Sequence, residues 1–524
     1  MPTINKILVG SRVVGVGRED ARLALGMATV VPEFLDWFQA HQGTIDTSSV
    51  DVINFLPSEG GRGAVAVKDI PEGHVLFTIP RDLTLSTRTS SLPLRFGMGA
   101  WKNAKLHEGW AGLILCMMWE AAQGSSSKWS GYFDILPTSF DTPMFWTEEE
   151  LAELRGTSVV EKIGRADAEK DYKEKLIPAI NSRPELFLPR DIHTRYSVEM
   201  YHVMGSRILS RSFNVEKWAP DEEEVGDGAG DVSMGSGMDV DLPDGAPAPP
   251  THSSHGTDDL EHEGGEEEEQ EDSSDIAMVP MADILNARYG SENAKLFYEE
   301  NYLKMISTRP IKGGEQIWNT YGDLPNAELL RRYGHVDVIQ LPNGGQGNPG
   351  DVAEIRADLI VSVAAEQHSL STDDTHERID WWLEEGGDDV FDLYFDLEIP
   401  PSIISVIRLL LLPDEEWEKI KEKAKPPKPK MDAVALTVLH EVLQRRLKEY
   451  PTSIQDDEQL LMTAPSLNLR HAIIVRLGEK KILDGILTKT AAALAMESNT
   501  KKRKTTHEDR PAAASTLKKS KRQA

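Results

Sequence analysis

One cysteine in 524 residues leaves no internal disulfide framework and no cysteine-rich zinc site. That residue, Cys116, lies in GWAGLILCMMWEAA, an apolar helical pattern in which a free thiol behaves as a small buried hydrophobe. A reducing intracellular compartment is the default for such a chain. Long apolar runs are also missing. None reaches the ~18 residues a membrane-spanning helix needs, so no membrane span is expected. Positive charge is absent from one stretch altogether: residues 221–275 hold 20 Asp and Glu and no Lys or Arg. Without that stretch the net charge of −29 falls to −9, and without the basic tail 501–524, which carries +7, it is −16. The folded part is therefore mildly acidic. It offers no broad basic face for nucleic acid, and positively charged proteins are its natural partners.

At this length more than one core is expected. Residues 1–31 mix Lys6, Arg12, Arg18 and Arg22 with apolar residues, while Glu19 and Asp20 argue against a transit peptide. They read as a poorly ordered extension. From Glu33, EFLDWFQAHQG reads as a short amphipathic helix closed by Gly43. The stretch 59–85 alternates apolar and polar residues around the turn signal Asp69-Ile70-Pro71-Glu72-Gly73 and reads as β structure. A helix is expected over 101–122. Another should start at Thr147, where Glu150 completes a capping box, and helical pattern continues to about 213. Residues 219–275 are acidic, rich in Gly, Pro and Ser, and nearly free of aromatics. Such a composition cannot bury enough apolar surface to offset ordering, so a disordered loop inserted within one domain is expected. From about 345 to 497 the pattern is amphipathic helix, including DVAEIRADLIVSVAAEQ and LNLRHAIIVRLGEKKILDGIL, and a second, all-helical domain is predicted.

Several short segments carry polar groups in settings that suit a ligand. In Glu59-Gly60-Gly61-Arg62-Gly63, glycines at a strand entrance allow positive φ and close backbone approach. The same pattern also serves a tight hairpin. MVPMADILNARYG at 278–290 delivers Asp283 and Asn286 from an apolar strand, although Asx residues so placed also satisfy turns and caps. Tyr321 follows Trp318-Asn319-Thr320 at a strand–turn junction, and Tyr333 follows the helical NAELLRR. Core tyrosines with hydroxyls at the surface look the same.

Taken together, these pieces resemble the SET-domain protein-lysine methyltransferases, and within them the Rubisco large-subunit methyltransferase class. The resemblance covers roughly 33–218 and 276–497. It rests on GRGAVAVKDIPEGHVLFTIP, WSGYFDILP, FWTEEELAEL, SRILSRSF, MVPMADILN, GEQIWNTYGD and NAELLRRYGHVD. It implies an α+β fold: a SET-domain β fold with a pseudoknot and a helical insertion, followed by an all-α substrate-binding domain. The implied domains are 32–343 (helical insert about 90–215, acidic loop 219–275) and 344–497, with a disordered basic tail over 498–524.

The implied activity is transfer of a methyl group from S-adenosylmethionine to a lysine ε-amine. The resemblance places Gly61, Arg62, Gly63, Asp283, Asn286, Ala287, Tyr321 and Tyr333 at the cofactor and makes Tyr321 the catalytic tyrosine. Arg211, Phe213 and Tyr298 fall at the substrate-lysine pocket. No metal is implied. At Ala287 the family pattern has histidine, which acts there mainly through its backbone, so the difference bears on cofactor affinity more than on chemistry. The implied substrate is a basic protein of the large ribosomal subunit, with monomethylation the expected outcome. Lys501-Lys502-Arg503-Lys504 and Lys518-Lys519-Ser520-Lys521-Arg522 suit a nuclear import receptor, which predicts a nuclear and also a cytoplasmic location. Two other readings stay open: a SET fold used for binding without catalysis, and an acidic chaperone for basic nuclear or ribosomal proteins.

Overall fold

The structure, a computed structural model, describes residues 30–55, 61–216, 274–341 and 345–508, with side chains as far as Glu497. The N-terminal residues 1–29, most of the acidic stretch 219–275 and the tail 509–524 lie outside the described residues. The chain divides into two compact units.

The first unit comprises residues up to Phe145, Ile163–Leu324 and Arg331–His335. It opens with helix α1 (30–40), which buries Phe34 and Phe38 one turn apart. The helix stops at Gln42, where φ is 67°. Gly43 then returns its N–H to the Phe38 carbonyl at 2.9 Å, and a Cβ at Gly43 would lie 2.5 Å from the Phe38 ring. That crowding explains the glycine. Nine strands follow among the described residues: β1 (Thr44–Ile45), β2 (Val50–Asn54), β3 (Arg62–Ala66), β4 (Val75–Pro80), β5 (Ser212–Glu216), β6 (Ser274–Met278), β7 (Ala294–Tyr298), β8 (Tyr302–Ser307) and β9 (Gln316–Ile317). They form antiparallel sheets in the orders β1-β4-β8-β7, β2-β3-β9 and β5-β6. The expected turn over Asp69–Gly73 joins β3 to β4, with Gly73 at φ 79°. One apolar core joins these sheets to the helices of the insert.

The insert departs from expectation in two places. The helix foreseen over 101–122 is interrupted: Met98–Asn103 ends, the chain turns through Lys105 (φ 55°) and Gly109 (φ 59°), and α2 (Ala111–Ala122) begins anew. A positive φ at lysine is set by tertiary context and leaves no local signal. Cys116 in α2 is fully buried, and burial pushes its thiol well up, so it is inert as expected. Two further helices matter below: α3 (Ser130–Ile135) and α4 (Val198–Arg211). The last two residues of the helical pattern that ran to about 213, Ser212 and Phe213, begin β5 instead.

The second unit comprises Trp146–Lys162, Pro325–Leu330 and Val336 onward. It thus takes in three segments that sequence reading assigns to the first domain, 146–162, 325–330 and 336–343. The capping box of Thr147 and Glu150 is present, with both hydrogen bonds made. The unit is helical around its own core, with two strand pairs added, the first being Ile339–Gln340 with Gln346–Gly347. The run DVAEIRADLIVSVAAEQ is not one helix. Residues Val352–Arg356 form a strand paired in antiparallel register with Val390–Tyr394, and the helix proper is Ala357–His368. Ala353 and Ile355 alternate inward along the strand. A five-residue strand fused directly to a helix leaves too few residues for its period of two to stand out. The final helix runs from Leu467 to Glu508 and so takes in the start of the expected tail.

Candidate active site

The β6 strand ends at Met278, and the backbone then makes a tight turn. Met281, a non-glycine residue, is held at φ 77°, and a single 3₁₀ turn, Ala282–Ile284, follows. That turn directs Asp283 inward, where its side chain is 2% exposed. Tyr132 of α3 donates its hydroxyl to Asp283 Oδ2 at 2.8 Å. Arg211, the last residue of α4, donates Nη1 to the Asp283 carbonyl at 2.6 Å and lies 3.9 Å from Oδ2.

Arg62, at the start of β3, donates Nη1 to the Ile135 carbonyl at 2.6 Å, and Arg207 of α4 donates Nε to the Pro137 carbonyl at 3.0 Å. Burial raises the Asp283 carboxyl to about 6, with Arg211 opposing the rise. Burial also draws Arg207 down to about 10 and, together with neighbouring Arg211, lowers Arg62. Two guanidiniums, Arg211 and Arg62, thus act on one carboxylate in a desolvated setting, with Arg207 beside Tyr132. Asp283 Oδ1, Arg211 Nε and Asn319 Nδ2 are buried without a hydrogen-bond partner.

Downstream, Asn286 donates Nδ2 to the Arg62 carbonyl at 3.1 Å and to Gln316 Oε1 at 2.8 Å. Its own carbonyl accepts from Asn319 N at 2.9 Å, and Ala287 forms a parallel bridge with Asn319. The 278–290 and 313–337 segments therefore meet here. Tyr321 lies two residues past that bridge. Its ring stacks on Tyr333, with centroids 4.0 Å apart and planes within 4°, and His335 tilts against both at 6.4 and 5.9 Å.

Gly61 takes φ 67° with open space around it. Gly63 is constrained differently: a Cβ there would lie 2.6 Å from Asn286 Nδ2 and 2.8 Å from Gln316 Oε1.

Arg62, Gly63, Asp283, Asn286, Ala287 and Arg211 are thus brought into one linked cluster, and Tyr321 and Tyr333 into one stack. Phe213 and Tyr298 sit differently. Phe213 is 2% exposed within the core, and the Tyr298 hydroxyl donates to the Asn214 carbonyl at 2.9 Å. Tyr132, Gln316 and Asn319 were missed as members of the cluster. The signal at Tyr132 is slight: a tyrosine in the largely apolar WSGYFDILP, if buried, needs a partner for its hydroxyl. Among the described residues, no group of three or more His, Cys, Asp or Glu is placed to hold a metal ion. No helix of the described residues is long and apolar enough to cross a membrane.

The fold is that of a SET domain joined to a helical substrate-binding domain. The crystal structure of the SET domain of LSMT bound to lysine and AdoHcy matches with a TM-score of 0.58 at 18% identity, covering 89% of this chain and 93% of that one. The structure of Rubisco LSMT bound to AdoMet matches at 0.56 and 19%, covering 89% and 92%. Residues 369–483 match the family described as Rubisco LSMT substrate-binding. Among curated proteins, ribosomal lysine N-methyltransferase 4 of Saccharomyces cerevisiae is 28% identical over 395 residues, covering 72% of this chain and 71% of that protein. Human N-lysine methyltransferase SETD6 is 28% identical over 463 residues, covering 82% and 85%. The chain is thus similar over most of its length to S-adenosylmethionine-dependent protein-lysine methyltransferases, and its second unit to the substrate-binding domain of the Rubisco large-subunit methyltransferase class.

The residues present suit that cofactor. An unpartnered cation edge at Arg211 Nε, a net-positive surround, and a glycine strand with no room for a side chain fit a zwitterionic amino-acid group approached by backbone. Gly61, Arg62, Gly63, Asn286, Ala287 and Arg211 are the residues that would hold it. Gly63→Ala is expected to displace Asn286 and weaken S-adenosylhomocysteine binding by about tenfold or more, since overpacking of this kind costs ~1–3 kcal/mol. Calorimetric titration checks this. Gly61→Ala, with open space around it, should cost less.

Proposed function

We propose that this enzyme places a single methyl group on a lysine of a basic protein of the large ribosomal subunit, and that it works in the nucleus as well as the cytoplasm. The observation that carries the site reading is the bridge of Ala287 to Asn319. It joins the Asp283–Asn286 loop to the segment bearing the Tyr321–Tyr333 stack. The acidic balance of the chain favours a basic partner. The name of the yeast relative supports a ribosomal one, and the basic clusters at 501–504 and 518–522 suit an import receptor.

When bound, the cofactor supplies a methyl group on a sulfonium centre. The protein's part is to deliver a neutral amine in line with it. A free lysine has a pKa of about 10.4 and is almost wholly charged at neutral pH. A narrow, desolvated channel beside positive charge lowers that value, so no strong general base is needed. Tyr321 orients the amine through its hydroxyl, and its ring is held by the stack on Tyr333. Alignment of this kind removes much of the barrier. Asn286 and the β3 backbone fix the cofactor side.

The test is methylation of ribosomal extract with mass-spectrometric mapping of the modified residue. One monomethylated lysine on a large-subunit protein is the expected result. Labelling confined to non-ribosomal proteins would overturn the substrate assignment. For location, a tagged chain lacking 501–524 is expected to leave the nucleus, and full nuclear retention would count against the import signal.

A further inference from the structure

Asp283 lies beneath the proposed cofactor loop rather than facing outward from it. Its side chain is 2% exposed, and the Tyr132 hydroxyl donates to it at 2.8 Å. The charged groups that act on it are Arg211 from α4 and Arg62 from β3, while Arg207 of α4 lies beside its partner Tyr132. Arg211 reads the residue twice, through the carbonyl at 2.6 Å and across 3.9 Å to Oδ2. The preceding residue but one, Met281, sits at φ 77°, a conformation that persists only when its surroundings over-determine it. Three residues after Asp283, Asn286 makes its bonds to Arg62 and Gln316. The short loop is therefore pinned at both ends, and any movement at Asp283 is transmitted to Arg211 and Asn286.

We propose that Tyr132 and Asp283 form a positioning pair that holds Arg211 and Asn286 in the cofactor-binding arrangement, and that the pair works only while Asp283 is charged. The inference rests on the methyltransferase reading of the site. Neither residue is assigned to touch a reacting atom. The carboxylate attracts Arg211 and offsets the repulsion between Arg211 and Arg62, and the hydroxyl satisfies the carboxylate that does so. Protonation of Asp283 removes the first effect and frees Arg211 to move.

The sign of the pH dependence follows. Burial sets the Asp283 carboxyl at about 6, so the pair is charged above that pH and is lost as pH falls through it. Cofactor affinity should therefore have an acid limb near pH 6. Tyr132→Phe removes a donor that favours the charged form. The limb should move to higher pH by about one unit, the size expected for losing a hydrogen bond to a charged group. Asp283→Asn should bind the cofactor more weakly and show no limb in this range.

The experiment is calorimetric titration of the full chain with S-adenosylhomocysteine from pH 5 to 8.5, together with the KM for S-adenosylmethionine and kcat. The expected result is an upward shift for Tyr132→Phe, a flat profile for Asp283→Asn, and a loss expressed mainly in the cofactor KM. A Tyr132→Phe protein with a lower melting temperature but an unmoved limb would overturn the proposal, because a merely structural bond does not shift a titration. If Tyr132→Phe does not fold, a limb that persists in Asp283→Asn overturns it equally. Failure of the unaltered chain to bind at any pH would overturn the methyltransferase reading itself, a result distinct from a bound cofactor with an unshifted limb.

Discussion

Tyr321→Phe is expected to lower methyl transfer by about 100-fold or more while leaving the fold and cofactor binding in place. The Tyr321 ring lies flat against Tyr333, 4.0 Å away and parallel within 4°, and packs at the edge of the core. Phenylalanine keeps that stack and its apolar contacts, so stability should hardly change. What it removes is the hydroxyl, which in the proposed function aims the amine and turns its oxygen toward the electron-poor transferred methyl. A preorganised polar group that complements charge in a desolvated transition state typically contributes ~3–4 kcal/mol to the barrier reduction. The effect should fall on kcat, with the affinity for S-adenosylhomocysteine little altered. A tritiated-methyl assay on ribosomal extract measures the first and calorimetry the second. Turnover within about threefold of the unaltered chain would remove Tyr321 from its role.

The contrast with Tyr132 shows which parts of this site can be read along a chain. Tyr321 stands in WNTYGDLPNAELLRRYG, where a β-rich run, a Tyr-Gly turn and a helix start follow in close order. Gly63 is legible because a glycine in a branched apolar strand asks for a reason, and the close approach of Asn286 and Gln316 supplies it. Tyr132 has no such local mark. Its partner, Asp283, is 151 positions away, and only the completed fold shows that both are buried and facing. Asp283 itself illustrates the same limit from the other side. As an Asp after an apolar strand it was grouped with the cofactor ligands, but the 3₁₀ turn aims its carboxylate into the protein. Direction of a side chain at a turn depends on one φ angle, here that of Met281, which composition does not encode.

The same distinction holds for the fold. Helix α1 and the β3–β4 turn follow from local pattern and from glycines whose positions the backbone demands. The break between Met98–Asn103 and α2 does not. Lys105 takes a positive φ because the chain must turn there to bring Gly112 against the Leu106 carbonyl, where a Cβ would lie only 1.9 Å away. The strand Val352–Arg356 was absorbed into the helix after it because its partner, Val390–Tyr394, lies beyond two intervening helices. Non-local pairing leaves no trace in a window shorter than the separation of the partners.

In the second unit the largest expected loss of stability comes from a single carboxylate. Asp457 is fully buried, and so is Arg476, which donates Nη2 to Asp457 Oδ1 at 2.7 Å and Nε to Oδ2 at 3.1 Å. Lys480 is also buried and reaches Oδ2 at 2.5 Å, while Thr452 donates its hydroxyl to Oδ1 at 2.7 Å. Two cations thus depend on one anion, helped only by Glu153 on Arg476 and by the carbonyls of Thr452 and Ser453 on Lys480. Asp457→Ala would leave both in a dry interior, and breaking a buried pair from one side costs about 3–5 kcal/mol. For a unit of this size, that corresponds to a fall in melting temperature of roughly 6–20 °C. Scanning calorimetry of the full chain measures it. The exposed pair of Arg445 with Glu366 is the control, since Glu366→Gln should leave the transition nearly where it was. A triple substitution of Asp457, Arg476 and Lys480 by Leu, Met and Met should recover much of the loss, because it removes the charges along with their partner. If Asp457→Ala melts within about 2 °C of the unaltered chain, solvent reaches the cluster and the buried-charge account of this unit fails.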